Sequence, residues 1–212
     1  MHKSFEIPNL FGDIMELLIF CPFVIFFSLF IILAIGIILY GIQRSQVRTE
    51  RWQLFASQTG LIFEAGGLVK EMRVSGNYRG YQVLIDTFSH HTGYSTSHSY
   101  PYTRISITIT NAMSVDLKIQ KNRPLFLSKD TFQINDSQID QLFIFSGSSY
   151  EMARNIFTDI NLRHRILQTR SLNLEIAGQN LIYTHPGVEK DVDRLIFLLE
   201  LMCDLAKYVD QK

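Results

Sequence analysis

The run Leu17–Ile42 carries no charged residue and no histidine. No other feature of the chain restricts its fold so strongly. At about 1.5 Å per residue, a helix of that length reaches roughly 39 Å, more than the ~30 Å hydrocarbon core of a bilayer. Pro22 has no backbone N–H and suits a first helical turn, and a helix starting there is still long enough to span. A cleaved secretory leader has an apolar stretch of only about 7–15 residues ahead of a small-x-small site. The one weak match to such a site, Ala34-Ile-Gly36, lies inside the run. The sequence therefore predicts one transmembrane helix over residues 17–42, following an N-terminal extramembrane segment, residues 1–16.

The direction of the helix follows from its flanks. Lys3 is the only Lys or Arg before it, while Arg44, Arg48 and Arg51 come soon after. Positive charge collects on the cytoplasmic side, so the expectation is a single-pass protein of a cell inner membrane. Its N-terminus lies outside and its C-terminal domain is cytoplasmic. A helix without ionisable groups offers no proton relay, and one without histidine lacks the usual haem ligand. Phe20, Phe23, Phe27 and Phe30 recur at helical spacing, and Phe23, Phe27 and Phe30 are candidates for contact with lipid or a partner helix. No Gly-x-x-x-Gly pattern accompanies them. Twenty positive charges balance 20 negative ones, which gives no general attraction to nucleic acid. Two cysteines, Cys21 at membrane depth and Cys203 far along the chain, exclude a disulfide scaffold and a four-cysteine zinc site.

From Gln43 to Thr59 there is no Gly or Pro, and residues that favour helix dominate. The membrane helix is predicted to continue as a stalk, residues 43–59, from about Pro22 to about Gln58, with Gly60 as its stop. Trp52 and Phe55 would dock on the globular part, or Trp52 would sit near the headgroups. Beyond Gly60 the hydrophobic period changes to two. Strands are predicted at Leu61–Phe63, Arg73–Tyr78, Tyr81–Phe88, Arg104–Thr110, Val115–Ile119, Gln141–Phe145, Leu172–Ile176 and Asn180–Thr184. Arg79-Gly80 and Ala177-Gly-Gln179 are hairpin signals. Pro124–Leu127 is a further strand candidate. Ser148-Ser-Tyr-Glu151 has capping-box spacing and opens a helix to about Gln168. Pro186-Gly187 precedes a last helix whose wide apolar stripe runs from Val188 to Val209 and suits the cover of a sheet. Strands first and helices last predict an α+β fold: one N-terminal transmembrane helix followed by an antiparallel sheet with helices packed on one face, in a domain over residues 60–212.

A set of features extends through most of the chain: a single span, Trp52-x-x-x-Ala56, Gly60-Leu61, Gly76-Asn-Tyr78-Arg-Gly80, Asp140-Gln-Leu-Phe143-Ile-Phe-Ser-Gly147 and a Leu-rich end reaching Asp204-Leu-Ala206. Together they resemble a family of uncharacterised bacterial single-pass membrane proteins built as a span plus a β-rich soluble domain. That family has Phe before the Asp of the fifth pattern, where this chain has Ile139. The resemblance implies the architecture and an inner-membrane setting, and carries no catalytic residue.

Chemistry-bearing residues concentrate in Ser89–Tyr102, which holds His90, His91 and His98 among serines and tyrosines. Imidazoles suit zinc, copper and nickel, so these three are the metal candidates. The segment contains no carboxylate or thiolate, and it reads equally as a long polar hairpin tip or a partner-contact loop. Arg163 and Arg165, with Arg170, form a basic cluster that could meet lipid phosphates or an acidic partner, or complement a helix C-terminus. Asp191 and Asp193 suit a first helical turn. Phosphate-loop, Gly-x-Ser-x-Gly, His-Glu-x-x-His and Cys-x-x-Cys motifs are absent from the sequence. No cofactor is expected. The sequence points to a membrane-anchored, non-enzymatic module, an interaction or accessory subunit of a membrane complex. Its partners would be the bilayer and a membrane protein or a second copy. Two alternatives stay open: a lipid- or small-ligand-binding domain held at the membrane, and a metal-dependent enzyme using the His-rich loop.

Overall fold

The computed structural model describes residues 10–67, 71–91, 99–110, 115–122, 130–169 and 172–211. Within these, the side chains of residues 10–25, 38, 41, 42, 44, 45, 90, 91 and 99 lie outside the description. Two compact units make up the chain, Met1–Val47 and Arg48–Lys212. Helix α1 is assigned from Leu10 to Thr59, and the predicted helical run to about Gln58 falls inside it. Gly60 ends it at φ +72, and the Leu61 N–H returns to the Ala56 carbonyl at 3.0 Å, the six-to-one bond of a glycine C-cap.

In the first unit, every described large side chain from Phe26 to Tyr40 is apolar and exposed, Phe26 at 73% and Tyr40 at 65%. These positions are nearly consecutive, so they fall on all sides of the helix. Among the described residues no helix is long and apolar enough to cross a membrane. The side chains of Leu17–Ile25, the first part of the uncharged run, lie outside the description.

In the second unit, β1 (Ile62–Glu64), β2 (Arg73–Tyr78), β3 (Tyr81–His91), β4 (Ser99–Thr108), β5 (Asp116–Lys121), β6 (Thr131–Phe132), β7 (Phe143–Gly147), β8 (Asn173–Ala177) and β9 (Asn180–Pro186) form one sheet. Its order is β1-β2-β3-β4-β9-β8-β5-β7-β6, and every pairing between strands is antiparallel. Helices α2 (Ser137–Leu142), α3 (Tyr150–Thr158), α4 (Ile160–Leu167) and α5 (Val192–Asp210) complete the unit. The α+β class with a large antiparallel sheet therefore holds.

Alternation sets the two faces of the sheet. Val83, Ile85, Ile105, Ile107, Leu181, Tyr183, Leu174, Ile176, Leu117, Ile119 and Phe145 share one face and are almost wholly buried. Helix α5 lies against β4 and β9, and α3 against β5. Helix α5 contributes Leu195, Leu199, Met202, Ala206 and Val209 from its apolar stripe. Trp52 and Phe55 are fully buried in the same core, as docking on the globular part requires. At roughly 1.5–3 kcal/mol for each large side chain buried, this layer dominates the stability of the unit.

The structure corrects several local expectations. Gln141 and Leu142 belong to α2, not to a strand. The Asp136 carboxylate caps that helix by accepting the Gln138 and Ile139 N–H groups at 3.1 and 3.2 Å, so β7 begins only at Phe143. The helix expected over Ser148–Gln168 is broken at Asp159, whose extended backbone ends α3 and whose carboxylate accepts the Asn161 and Leu162 N–H groups at the start of α4. The capping box does not form: Ser149 makes no side-chain cap, and its hydroxyl accepts the Asp116 N–H instead. Helix α5 starts at Val192 with Asp191 as its cap and Asp193 in its first turn, later than Val188. Strands β3 and β4 continue to His91 and from Ser99, so the polar connection between them is shorter than Ser89–Tyr102. Strand β6 has no counterpart in the sequence reading, and Pro124–Leu127 lies outside the described residues.

Candidate interaction surface

The face of the sheet opposite the helices carries two cross-strand rows. In the first, Glu64, Arg73, Asp86 and Arg104 stand side by side on β1, β2, β3 and β4, and Arg104 pairs in register with Thr184 on β9. Arg73 and Glu64 form an ion pair at 2.8 Å. Arg104 grips Asp86 through two nitrogens at 2.9 and 2.5 Å. The row goes on through Asn173 of β8, whose amide donates to the Thr184 hydroxyl and accepts from Gln120 of β5 at 3.0 Å. A polar row thus crosses seven adjacent strands, joined by side-chain bonds at Glu64–Arg73, Asp86–Arg104, Thr184–Asn173 and Asn173–Gln120. Beside it runs Ile62, Ser75, Leu84, Ser106, Ile182, Glu175, Lys118, Ser146 and Thr131, one residue from each strand. In this second row Lys118 and Glu175 pair at 3.5 Å.

Exposed cross-strand ion pairs contribute only about 0.2–1 kcal/mol each. Their larger effect is on register and on the character of the surface. The charges in these rows are matched laterally, which leaves a neutral face with Leu84 between Ser75 and Ser106 and Ile182 between Ser106 and Glu175. At one end of the face the Arg104 guanidinium also lies 5.1 Å from the centroid of the Phe88 ring, and Phe88 stacks on Tyr102 at 5.5 Å. The hydrogen bond it donates to Asp86 raises the pKa of Arg104 above its ordinary value, against the pull of burial. Glu71, near the same cluster, is pushed above the usual carboxylate range by burial and by the Asp86 charge, with Arg104 opposing.

On the helical side, Arg79 from the β2–β3 turn meets Glu200 at 3.0 Å and Asp204 at 3.6 Å on α5. Arg165 of α4 pairs with the same two carboxylates, lying 3.7 Å from Glu200 and in direct contact with Asp204. Arg163 is bonded to Asp136 at 2.6 Å and to Gln138 at 2.9 Å. The two arginines read from sequence as lipid or acidic-partner contacts thus hold α4 to α5 and to α2, and Arg170 lies outside the described residues. Phe27 and Phe30 are exposed on α1, and the side chain of Phe23 is outside the description. The His90 and His91 backbones pair with Tyr100 and Ser99 in the β3–β4 ribbon, while His98 lies outside the described residues. Among the described residues no group of three or more His, Cys, Asp or Glu could hold a metal ion.

Sequence reasoning missed the ladder. Asp86 and Arg104 both sat in predicted strands, but their adjacency needs the pairing of β3 with β4, and Asn173 and Gln120 become neighbours only once the β9-β8-β5 order is known.

The fold is shared with a known transport factor. The crystal structure of the mycobacterial trehalose monomycolate transport factor A, TtfA, superposes with a TM-score of 0.52. The match covers 76% of this chain and 93% of that one at 12% identity, a likeness of fold alone. No protein-family model and no curated protein matches the chain.

Proposed function

We propose that this chain is a membrane-anchored, non-enzymatic accessory module. In this reading Leu17–Ile42 crosses the inner membrane once with the N-terminus outside. The α+β domain lies in the cytoplasm and contacts a membrane complex through its open sheet face. The observation that carries the anchor is the exterior of α1, apolar and exposed on all sides from Phe26 to Tyr40. A helix apolar all round is either buried in protein or set in lipid. The direction across the membrane rests on Arg44, Arg48 and Arg51. The fold shared with a protein named as a transport factor supports an accessory, transport-related role. The neutral laddered face supports contact with a protein surface rather than with a polyanion.

Purification of the full chain from membranes in mild detergent tests the proposal. A membrane protein should co-purify, and Leu84→Glu with Ile182→Glu should release it while the circular dichroism of the domain is unchanged. A chain that runs alone through several gentle extractions would rule out the accessory role. A cytoplasm-active reporter fused after Lys212 should give signal, and a periplasm-active one should not; the reverse pattern would overturn the orientation.

A further inference from the structure

The segment between β9 and α5 is held at several points, and Glu189 occupies most of them. Its carbonyl accepts the Trp52 indole N–H at 2.8 Å, the bond that ties the last turns of α1 to this segment. Its own N–H donates to the Thr103 hydroxyl at 2.9 Å, and that hydroxyl donates to the Gly187 carbonyl at 2.9 Å. One oxygen of its carboxylate accepts the Lys190 and Asp191 N–H groups at 3.0 and 3.1 Å. The other lies 3.2 Å from the Arg194 guanidinium.

His185, in register with Thr103, adjoins this knot. Among the described residues its Nδ1 is buried with no hydrogen-bond partner, and so is Nη2 of Arg194. Among the described residues the charged groups that face His185 are Arg194 from α5 and Glu189 from the connecting segment; the Pro186 backbone favours the protonated ring, and Thr103 from β4 is neutral. We propose that His185 is a proton-sensitive latch: protonation loosens the segment 187–191 and with it the hold on Trp52. The imidazolium would stand as a second cation beside Arg194, and both would compete for the single Glu189 carboxylate that fixes the segment. Burial, and after it the Arg194 charge, already hold the His185 pKa below its ordinary value, with Glu189 opposing. A histidine depressed in the fold contributes full stability above its unfolded value of about 6.5. That contribution is lost as pH falls, because the unfolded or loosened state takes up the proton more readily.

Trp52 is the single tryptophan of the chain, so its emission reports this junction alone. The full chain in detergent micelles is titrated from about pH 8 to about pH 5 around the histidine range. The expected result is a reversible red shift of Trp52 emission with a midpoint below about 6.5. The shift should vanish in His185→Phe, and its midpoint should rise in Arg194→Met, where burial still disfavours the imidazolium but the Arg194 charge no longer adds to it. Far-UV circular dichroism identifies any variant that fails to fold. Should His185→Phe fail to fold, wild type and Arg194→Met still decide. Flat emission in wild type, an unchanged transition in folded His185→Phe, or an unmoved midpoint in Arg194→Met would each overturn the latch. None of these readings depends on a partner or on membrane insertion, so they stand or fall apart from the proposed function.

Discussion

Gly147 has φ +105, and a Cβ built on it would lie 2.4 Å from the Asp116 carbonyl oxygen. Backbone and not a flexible side chain is in the way, so neither strand can yield cheaply. Gly147→Ala is expected to destabilise the domain by at least about 2 kcal/mol, read from the shift of a urea midpoint. Gly178, at φ +57 with open space around it, sets the contrast: alanine there meets only the backbone cost of about 1 kcal/mol. Arg79 takes a left-handed conformation, φ 52, without being glycine. Its reach to Glu200 and Asp204 explains why an arginine stands in a turn that favours asparagine. Cys203 is 2% exposed, and burial pushes its thiol up to about 11. In a Cys21→Ser background the native chain should resist thiol alkylation at neutral pH and react fully only on unfolding. Rapid native labelling would contradict the packing described for α5.

At the scale of elements, one aspartate decides whether residues 150–167 make one helix or two. The apolar spacing continues through the break, since Ile156, Leu162 and Ile166 all reach the core, and for that reason the sequence reads as unbroken helix. The interruption comes from the Asp159 backbone and its side-chain cap, a local bond energy that periodicity does not register. Asp159→Ala should cost about 1 kcal/mol, within the usual range for a lost N-cap, and should lower the thermal midpoint without changing the fold. No loss of stability would show that tertiary packing alone sets the break. Asp136 acts in the same way at α2. Burial pushes its carboxyl up, but the Ile139 N–H and Arg163 outweigh that and leave it below the usual range. Its contribution is complete above the unfolded value near pH ~3.9 and fades as pH falls through the lower folded value.

For the whole molecule, strong periodicity marked what could be read in advance. The clean alternation of Ile105, Ile107 and Ile109, the turn Arg79-Gly80 and the wide stripe of α5 each follow from one local pattern, and the structure shows each of them, the helix of the stripe starting at Val192 instead of Val188. Strand order was not legible, because the β4-β9 and β5-β8 neighbours bring together segments distant in sequence. The open-face ladder and the Trp52–Glu189 junction depend on that order and stayed hidden with it. The uncharged run Leu17–Ile42 is the feature on which the proposed function most depends. The most direct measurement is fractionation of the full chain after expression, with an alkaline wash of the membranes. The expected result is full retention in the membrane pellet until detergent is added, and release into the soluble fraction when Phe27, Phe30 and Ile35 are all replaced by Glu. Recovery of the unaltered chain in the soluble fraction, or its release by the alkaline wash alone, would contradict a membrane-anchored module.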